Sequence, residues 1–418
     1  MRNKTDYNCD YLIIGAGIMG MTIAYEILEE LPTASIAIIE KEAEVGKHAS
    51  GRNSGVLHAG FYYTPDSLKA RFTRDGNRLM KEFCKANGIN INNCKKVVVA
   101  KDEEELQSLF ELERRGRKNG VDLALISEEE LHEIEPNAKT YRKALYSPTT
   151  ATVDPLEVCL KIKEVLQEKG VRFFLDCRYT GNSEDNVFTT RGIFSAGFII
   201  NTAGLYADLI ARDFGFSRYY TIIPFKGRYL KYNGDDMPVK MNIYPVPNLK
   251  NPFLGIHYTI TSNNEVKIGP SAMPAFWREN YGGLSKFNLN EFLNIIYFEF
   301  ILFVRNSFNF RSLAWSEIKK SNKKYFSGLA KKLVLKCDIE NFNQWAQPGI
   351  RAQLLNKRTF KLEMDFIMEG DERSLHVLNA VSPAFTCSFA LAKYIVKEKL
   401  PAEIIEQRTK QVKSVEIN

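Results

Sequence analysis

The feature that most constrains the fold is a glycine triplet that directly follows a short apolar run near the amino terminus. Residues 10–14 have the length and composition of a buried strand, and Gly15-Ala-Gly17-Ile-Met-Gly20 leads into an amphipathic helix predicted over 19–31. Gly15 permits a tight turn, Gly17 lets the backbone approach a pyrophosphate, and Gly20 lets the helix pack on the strand. The pattern predicts a dinucleotide-binding unit with phosphates at the helix amino terminus.

A second strand and an acidic residue complete this unit. The apolar run 35–39 ends at Glu40, twenty residues beyond Gly20, where a carboxylate suits the two hydroxyls of an adenosine ribose and disfavours a 2′-phosphate. A lone glycine triplet is also typical of an ordinary strand-to-helix turn. Here strand, glycines, helix, second strand and acid occur in the required order, which favours nucleotide binding. The unit alone does not distinguish FAD from NAD.

Chain length and charge limit the remaining possibilities. With 418 residues, 44% of them apolar, the chain exceeds one simple core, and two domains are expected. A net charge of +7 is compatible with a small anionic substrate or a membrane surface. Because the sequence lacks the concentrated basic stripe typical of nucleic-acid binding, no nucleic-acid partner is predicted.

The cysteines and histidines do not form a metal-binding pattern. The seven cysteines contain no CxxC pair and the five histidines are scattered, so no metal site is predicted. The odd number of cysteines and the polar first ten residues predict reduced thiols, no leader and a cytoplasmic location. The apolar stretch 292–304 is too short to span a bilayer. It is either a core-packed helix or an interfacial patch touching the inner membrane, since basic residues follow it closely.

Strand and helix patterns alternate through the first half of the chain, which predicts a parallel sheet. Helices are predicted at 67–87, 103–119, from 128 after a Ser127 cap, and at 155–169, with strands at 96–100 and 171–175. A second strand-to-helix turn at 196–208 contains Ala203 and Gly204; it either returns the chain beneath a cofactor or is an ordinary turn. From residue 222, short segments broken by Pro and Gly predict an antiparallel sheet, followed by a helical, lysine-rich region at 285–345.

A further helix is predicted near the carboxyl terminus. Ser382 is expected to act as its N-cap and Pro383 as its first residue. Such a helix directs its positive end at whatever lies before it, and a reduced flavin, which carries negative charge, would be stabilised there.

Several motifs resemble a known family. The stretch 50–71, which begins Ser-Gly-Arg-Asn-Ser-Gly-Val-Leu-His, and the motifs at 222–227, 253–257, 349–353 and 379–388 closely resemble the L-2-hydroxyglutarate dehydrogenase/oxidase family, within the D-amino-acid-oxidase-like FAD flavoproteins. The similarity spans nearly the whole chain and is weakest at 276–343.

The resemblance implies an α/β fold with a Rossmann-like FAD-binding domain and an α+β substrate domain built on an antiparallel sheet. The FAD-binding domain is expected at 1–84, 150–221 and 346–418, and the substrate-binding domain at 85–149 and 222–345. The residues expected to bind FAD are Gly15, Gly17, Gly20, Glu40, Lys41, His48, Ser50, Asn53, Ser54, Gly55, Ala203, Gly204, Ser382, Pro383, Ala384 and Thr386.

The implied reaction is oxidation of L-2-hydroxyglutarate, or a close 2-hydroxy acid, to 2-oxoglutarate by hydride transfer to flavin N5. It requires a base for the hydroxyl proton and cations for two carboxylates. His58 is the first candidate for the base and His257 the second. Arg351 is expected to grip the α-carboxylate, because a guanidinium binds a carboxylate through two hydrogen bonds. The candidates for the distal carboxylate are Arg228, Lys226, Arg52, Tyr62 and Tyr63, each of which is otherwise a surface charge or a packing aromatic.

Three hypotheses remain open from the sequence. The leading one is the hydroxy-acid enzyme, with electrons passing to a quinone or to oxygen. The second is a related enzyme that oxidises an amino acid or N-methyl amine and does not need a strong base. The third is a non-catalytic or RNA-modifying flavin-binding protein, which the net positive charge would favour.

Overall fold

The computed structural model describes residues 5–183, 186–247 and 253–400. The strands, in chain order, are β1 (Tyr7–Ile14), β2 (Ile36–Ile39), β3 (Val56–Leu57), β4 (Lys96–Val99), β5 (Ala124–Ser127), β6 (Lys143–Ser147), β7 (Ala151–Thr152), β8 (Arg172–Phe174), β9 (Tyr179–Ser183), β10 (Asn186–Thr189), β11 (Gly192–Asn201), β12 (Tyr220–Gly227), β13 (Leu230–Tyr232), β14 (Asn242–Pro245), β15 (His257–Ile260), β16 (Val266–Gly269), β17 (Met273–Pro274), β18 (Phe342–Trp345), β19 (Gly349–Asn356), β20 (Lys361–Leu362), β21 (Ile367–Gly370) and β22 (Ser374–Asn379).

The helices are α1 (Ile18–Glu30), α2 (Leu68–Ala86), α3 (Glu103–Lys118), α4 (Glu128–Ile134), α5 (Pro155–Glu168), α6 (Ala207–Asp213), α7 (Leu289–Arg305), α8 (Phe310–Lys319), α9 (Lys323–Lys331) and α10 (Ala384–Glu398). The ends of the expected FAD-binding segments 1–84 and 346–418 lie outside the described residues at 1–4 and 401–418.

The predicted parallel sheet is present, but the strand predicted at 96–100 does not belong to it and lies in another sheet. The main strand order of the parallel sheet is β21-β22-β11-β1-β2-β8, with β1 parallel to both β2 and β11, and only the edge strand β21 antiparallel to its neighbour on this path. The apolar side chains of β1 alternate between two cores. Tyr11 and Ile13 pack among α1, α5 and α10, whereas Leu12 and Ile14 face the side near β9 and β10. Burial on both faces explains why residues 11–14 of this strand are all apolar.

Two further sheets form the second part of the molecule. The larger has the order β18-β13-β16-β15-β14-β4-β6-β5 and the smaller the order β17-β12-β19-β20. They are antiparallel as predicted, except that β14 runs parallel to β4. In the smaller sheet, β12 pairs with β19 along its whole length, with Phe225 opposite Arg351. This sheet therefore joins residues from both sides of the expected boundary at 346.

The local helix signals agree with the structure. At Ser127 a capping box forms, in which the Ser127 hydroxyl accepts from the Glu130 amide at 3.2 Å and the Glu130 carboxylate accepts from the Ser127 amide at 2.7 Å. The lysine-rich region 285–345 contains α7, α8 and α9. Among the described residues, no helix has both the length and the apolarity needed to cross a membrane.

Candidate active site

The glycine-rich turn after β1 brings backbone close to backbone. Gly15 has a φ of +107°, and a Cβ there would lie 2.8 Å from the Thr202 carbonyl oxygen. A Cβ on Gly20 would lie 2.2 Å from the Gly15 carbonyl oxygen. The first position needs glycine for its backbone angle and the second for the close approach of helix and turn. Gly17 is the N-cap of α1 and has no side chain that could block the approach of a phosphate to the helix amino terminus.

The loop that starts at Ser50 folds against the first turn of α1. The Ser50 hydroxyl accepts a hydrogen bond from the Ile18 amide at 2.9 Å. Asn53 fixes the loop internally, since its Nδ2 donates to the Ser50 carbonyl at 2.7 Å and its Oδ1 accepts from the Gly55 amide at 2.8 Å. Ser54 is the partly buried residue between them. The loop thus joins the glycine-rich turn to β3, which leads into His58.

A cavity of about 690 Å³ lies at the carboxyl ends of β1 and β2, where open α/β sheets bind their ligands. The predicted residues Gly15, Glu40, Lys41 and Ala203 line it, as do Tyr206, Glu279 and Lys286, which the sequence did not indicate. Gly204, which follows Ala203, begins a short 3₁₀ helix.

Glu40 is fixed at the end of β2. Its carboxylate accepts from the Ala16 amide at 2.9 Å and from the Glu42 amide at 3.0 Å. Burial raises the pKa of Glu40, and these two amides oppose that effect. Each carboxylate oxygen has a further lone pair that can accept from a ribose hydroxyl. Together with the glycine-rich turn, Glu40 fits the adenosine half of FAD.

Residues 277–291, here called the covering segment, contribute to the wall of this cavity and are held by ionic contacts. Lys41 binds Glu279 at 2.6 Å, and Lys286 binds Glu279 at 2.8 Å and Glu42 at 2.9 Å. Although burial favours the neutral acid, Lys286 and Lys41 lower the pKa of Glu279 to about 2. His48 is predicted to bind the cofactor; in the structure its Nδ1 lies 2.8 Å from the Tyr281 hydroxyl of this segment.

Glu42, His48 and Glu279 bring three potential metal-ligand atoms within 4.8 Å of one another. Two ammonium groups, those of Lys41 and Lys286, already neutralise these carboxylates. The cluster is therefore a salt-bridge network between the cavity wall and the covering segment.

The first turn of α10 differs from the prediction. The helix begins at Ala384 with Pro383 at the N-cap position, and no side chain caps it, so the assignment of Ser382 as N-cap and Pro383 as first helical residue is wrong. The reason is a tight turn in which the Ala384 amide donates to the Val381 carbonyl at 3.1 Å, which holds Pro383 outside the helical region. Thr386, in the first turn, accepts from the His58 amide at 3.2 Å. The helix amino terminus therefore lies beside the His58 loop.

The two predicted histidines lie in one buried cluster with a lysine. Lys96 Nζ is 3.5 Å from His58 Nδ1 and 4.1 Å from the centre of the Tyr244 ring. Tyr244 in turn stacks on His257, with ring centres 3.7 Å apart. Lys96 is fully buried as the first residue of β4, near the middle of the larger sheet. Tyr62 also contacts it, 5.4 Å from Nζ to ring centre.

Burial controls protonation in this cluster. It lowers the pKa of Lys96 to about 7, with Cys94 acting weakly in the opposite direction. Burial, followed by the charge of Lys96, lowers the pKa of His58 well below its usual range. Burial also lowers the pKa of His257 to about 3, where the charges of Lys96 and Arg351 act in the same direction. Both imidazoles are therefore neutral at pH 7, whereas Lys96 changes between its charged and neutral forms near this pH.

The hydrogen bonds of the two histidines assign their neutral forms. His257 Nδ1 lies 2.8 Å from the Gly255 carbonyl oxygen, which can only accept, so Nδ1 carries the proton and Nε2 is free to accept one. The state of His58 depends on Lys96. A charged Lys96 can only donate to Nδ1, which leaves the proton on Nε2, whereas a neutral amine can accept from Nδ1 and free Nε2.

Arg351 reaches the same region from β19. Its Nη1 donates to the Ser271 carbonyl at 3.1 Å, and its guanidinium lies against Gly227, where a Cβ would be 3.2 Å away. Burial lowers the pKa of Arg351, whereas Tyr229 and Glu317 act to raise it. Ser271 follows two residues after Gly269, which pairs with His257 in the larger sheet, so Arg351 bonds the loop next to this histidine.

The other three cations predicted to bind the substrate contact different parts of the protein. Lys226 donates to Asn280 Oδ1 at 3.2 Å, Arg228 stacks on Trp345 at 3.7 Å, and Arg52 stacks on Tyr281 at 4.3 Å. Arg228 and Arg52 are thus engaged with aromatic rings.

The two tyrosines are buried. The Tyr62 hydroxyl is buried with no hydrogen-bond partner among the described residues, and burial raises its pKa well above the usual range. Burial likewise raises the pKa of Tyr63. An unpaired buried hydroxyl beside Lys96 suits a polar substrate atom.

Lys96, Tyr244 and Glu279 belong to the site but were not predicted from the sequence. A signal for Lys96 was available, because a lysine that opens the apolar run 96–100 is charged where the neighbouring residues are buried. Glu279 had no such signal, since it lies in the region where family resemblance is weakest.

This arrangement of a glycine-rich turn, a ribose-binding acid and a buried imidazole cluster under a mixed sheet defines a class of flavoenzyme. The chain belongs to the DAO family of FAD-dependent oxidoreductases, whose family model matches residues 10–398.

Among its relatives are L-2-hydroxyglutarate dehydrogenases. The enzyme of Escherichia coli strain K12 is 34% identical over 396 residues, covering 93% of this chain and 92% of its own. The mitochondrial enzyme of Homo sapiens is 33% identical over 423 residues, covering 95% and 90%. Among solved structures, the FAD-bound L-alpha-glycerophosphate oxidase of Mycoplasma pneumoniae has the same fold, with a TM-score of 0.72 at 20% identity over 96% of this chain and 95% of its own.

Proposed function

We propose that this FAD enzyme oxidises L-2-hydroxyglutarate, or a close 2-hydroxy diacid, to 2-oxoglutarate. The observation that carries the proposal is the buried cluster in which Lys96 Nζ lies 3.5 Å from His58 Nδ1. Arg351 bonds Ser271, two residues from the Gly269 that pairs with His257. A dianionic hydroxy acid needs cations for its carboxylates and a neutral acceptor for its hydroxyl proton. The similarity to L-2-hydroxyglutarate dehydrogenases across more than 90% of the chain supports the same substrate.

Arg351 is proposed to bind the α-carboxylate. Among the described residues, its Nη1 donates to one backbone carbonyl, and most of its other donors are available for a second partner. Lys226 is the cation proposed for the distal carboxylate, since it is partly buried and bonded only to a neutral amide among the described contacts. Each substrate carboxylate would place a negative charge beside one of these cations. It would thereby replace the stabilisation by water that the cation loses on burial.

His58 is proposed to accept the hydroxyl proton on Nε2, with Lys96 as a positioning residue that selects its tautomer. Neutral Lys96 accepts from Nδ1 and frees Nε2, whereas charged Lys96 blocks it. His257, whose Nε2 is free in its neutral form, is proposed to hold the substrate hydroxyl or to serve as the alternative acceptor. Both imidazoles are inside the protein, where water does not compete for the proton.

Bound FAD supplies the acceptor for the two electrons and the hydrogen of the substrate carbon. We propose that the segments 1–84, 150–221 and 346–418 bind it and that 85–149 and 222–345 form the substrate-binding domain. His58 and Arg351, from the first group of segments, complete the substrate site. Within this division, the glycine-rich turn and Glu40 hold the adenosine half, and the Ser50 loop and the first turn of α10 lie toward the reacting end, because both adjoin His58.

We also propose that the electrons leave to a membrane quinone or to oxygen. The quinone route requires peripheral contact with an inner membrane on its cytoplasmic side. Contact of that kind needs an exposed apolar surface flanked by cations, rather than a spanning helix.

The test is anaerobic mixing of the purified holoenzyme with L-2-hydroxyglutarate, its D enantiomer, glycine or sarcosine while the yellow flavin band is recorded. Bleaching by the L-hydroxy acid alone is expected. Bleaching by an amine alone would replace the proposal with an amine oxidase. No bleaching by any of the four would favour a non-catalytic or RNA-modifying flavoprotein.

A further inference from the structure

Helix α7 exposes an apolar face that no described element packs against. Leu293, Tyr297, Phe300 and Val304 follow one another at helical spacing, and each side chain is more than half exposed, with Phe300 at 64%. The opposite side of the helix, with Ile295, Glu299 and Leu302, is buried. Soluble surfaces rarely carry such a continuous apolar stripe without a binding role.

The segment that contains most of this helix carries mostly positive charge. Residues 292–337 contain nine basic and two acidic side chains, so their net charge of +7 equals that of the whole chain. Both acids, Glu299 and Glu317, are buried, at 8% and 2% exposure. The solvent-facing side chains of this segment therefore include cations, such as Lys323 and Lys324, and no acid.

Aromatic side chains are also exposed on the next two helices. Trp315 of α8 is 62% exposed, and Tyr325 of α9 is also exposed. Arg311 bonds the carbonyls of Phe303 and Val304, which fastens α8 to the end of α7. Amphipathic aromatic rings near cations are typical of the boundary between lipid headgroups and acyl chains.

We propose that the exposed face of α7, together with the basic side chains of residues 305–336, docks on an anionic lipid bilayer with α7 lying in the plane of the interface. The apolar stripe enters the headgroup boundary while the surrounding cations attract the lipid phosphates. This inference deepens the proposed membrane contact by assigning its surface and lipid class, and it does not depend on the identity of the substrate.

Charge decides between lipid and a second copy of the chain. Two copies joined through this face would bring two segments of net charge +7 together, which opposes association. Anionic lipid satisfies both the apolar stripe and the cations.

The test is co-sedimentation of holoenzyme with vesicles made of equal parts phosphatidylglycerol and phosphatidylcholine, compared with vesicles of phosphatidylcholine alone. Binding to the anionic vesicles, weakened by salt, is expected. Phe300→Glu should lower the partition coefficient at least about tenfold. The matched control is Leu160→Glu on α5, where an apolar side chain is 47% exposed outside the basic segment, and it should bind like wild type.

A second variant, Lys323→Glu combined with Lys324→Glu, should weaken binding about tenfold at low salt and little at high salt. The inference is overturned if wild type does not sediment with anionic vesicles or if Phe300→Glu binds as wild type does. It is also overturned if sedimentation velocity shows a dimer that Phe300→Glu dissociates. Flavin bleaching by the substrate should be unchanged in the same variants. The bleaching assay therefore tests the proposed substrate, and co-sedimentation tests the proposed membrane docking independently.

Discussion

Replacing Lys96 by methionine removes an ammonium group from the centre of the larger sheet. Burial lowers the pKa of Lys96 from 10.5 to about 7, so the native state binds this proton less tightly than the unfolded chain does. At 1.36 kcal/mol per pH unit, the buried charge costs about 5 kcal/mol at pH 6 and about 2 kcal/mol at pH 9. Lys96→Met should therefore be more stable than wild type, by a margin that shrinks as the pH rises.

The same titration should control turnover. Below pH 7, charged Lys96 donates to His58 Nδ1 and keeps the proton on Nε2, so His58 cannot accept the substrate proton. Above pH 7, neutral Lys96 frees Nε2. We expect kcat/KM for flavin reduction, which reports the free enzyme, to rise with pH through about 7.

Two variants separate the effect of the charge at position 96 from the effect of the side chain's shape. Lys96→Met should lose the rise near pH 7, because nothing at that position titrates. Lys96→Arg keeps a charge at all accessible pH values, so it should stay slow throughout and be less stable than wild type. Stopped-flow reduction and thermal unfolding across pH 6–9 measure both effects. A rise near pH 7 that persists in Lys96→Met, or a stability margin independent of pH, would refute the reasoning.

Other positions give simpler expectations. His58→Ala should slow anaerobic flavin reduction about 10²–10⁴-fold, and unchanged rates would point to an amine oxidase. Gly15→Ala puts a Cβ 2.8 Å from a carbonyl oxygen, so the purified protein should show a lower ratio of flavin to protein absorbance; full occupancy would contradict this. Asp208→Ala leaves Arg278 buried without its carboxylate, with N–O contacts of 2.7 and 2.9 Å lost, and should cost about 3–5 kcal/mol in denaturant unfolding; a wild-type midpoint would argue otherwise.

The parallel half of the fold was predictable because its signals are local. The βαβ unit at 10–40 appears as β1, α1 and β2, and the helix predicted at 155–169 begins at Pro155. The exception is the cap of α10. Serine and proline are residue types that often begin a helix, but here Ser382 and Pro383 lie inside a turn that the hydrogen bond to the Val381 carbonyl closes. Tertiary packing placed that turn, and local preference could not reveal it.

The candidate site was predictable only in part because its geometry joins distant positions. Lys96 and His58 are 38 residues apart, and Lys41 and Glu279 are 238 apart, so neither pair belongs to one motif. The larger sheet of the second part of the molecule also contains one parallel pair of strands, β4 and β14. The alternation of polar and apolar residues does not distinguish a parallel pair from an antiparallel one.

The nucleotide-binding unit, the family and the mostly positive charge of residues 292–337 follow from the amino-acid sequence, because they depend on residue type and short spacing. The burial of Lys96 beside His58 and the outward orientation of the apolar stripe of α7 depend on the folded chain. Protonation and exposure depend on what surrounds a side chain in space, and the chain brings those neighbours together only when it folds.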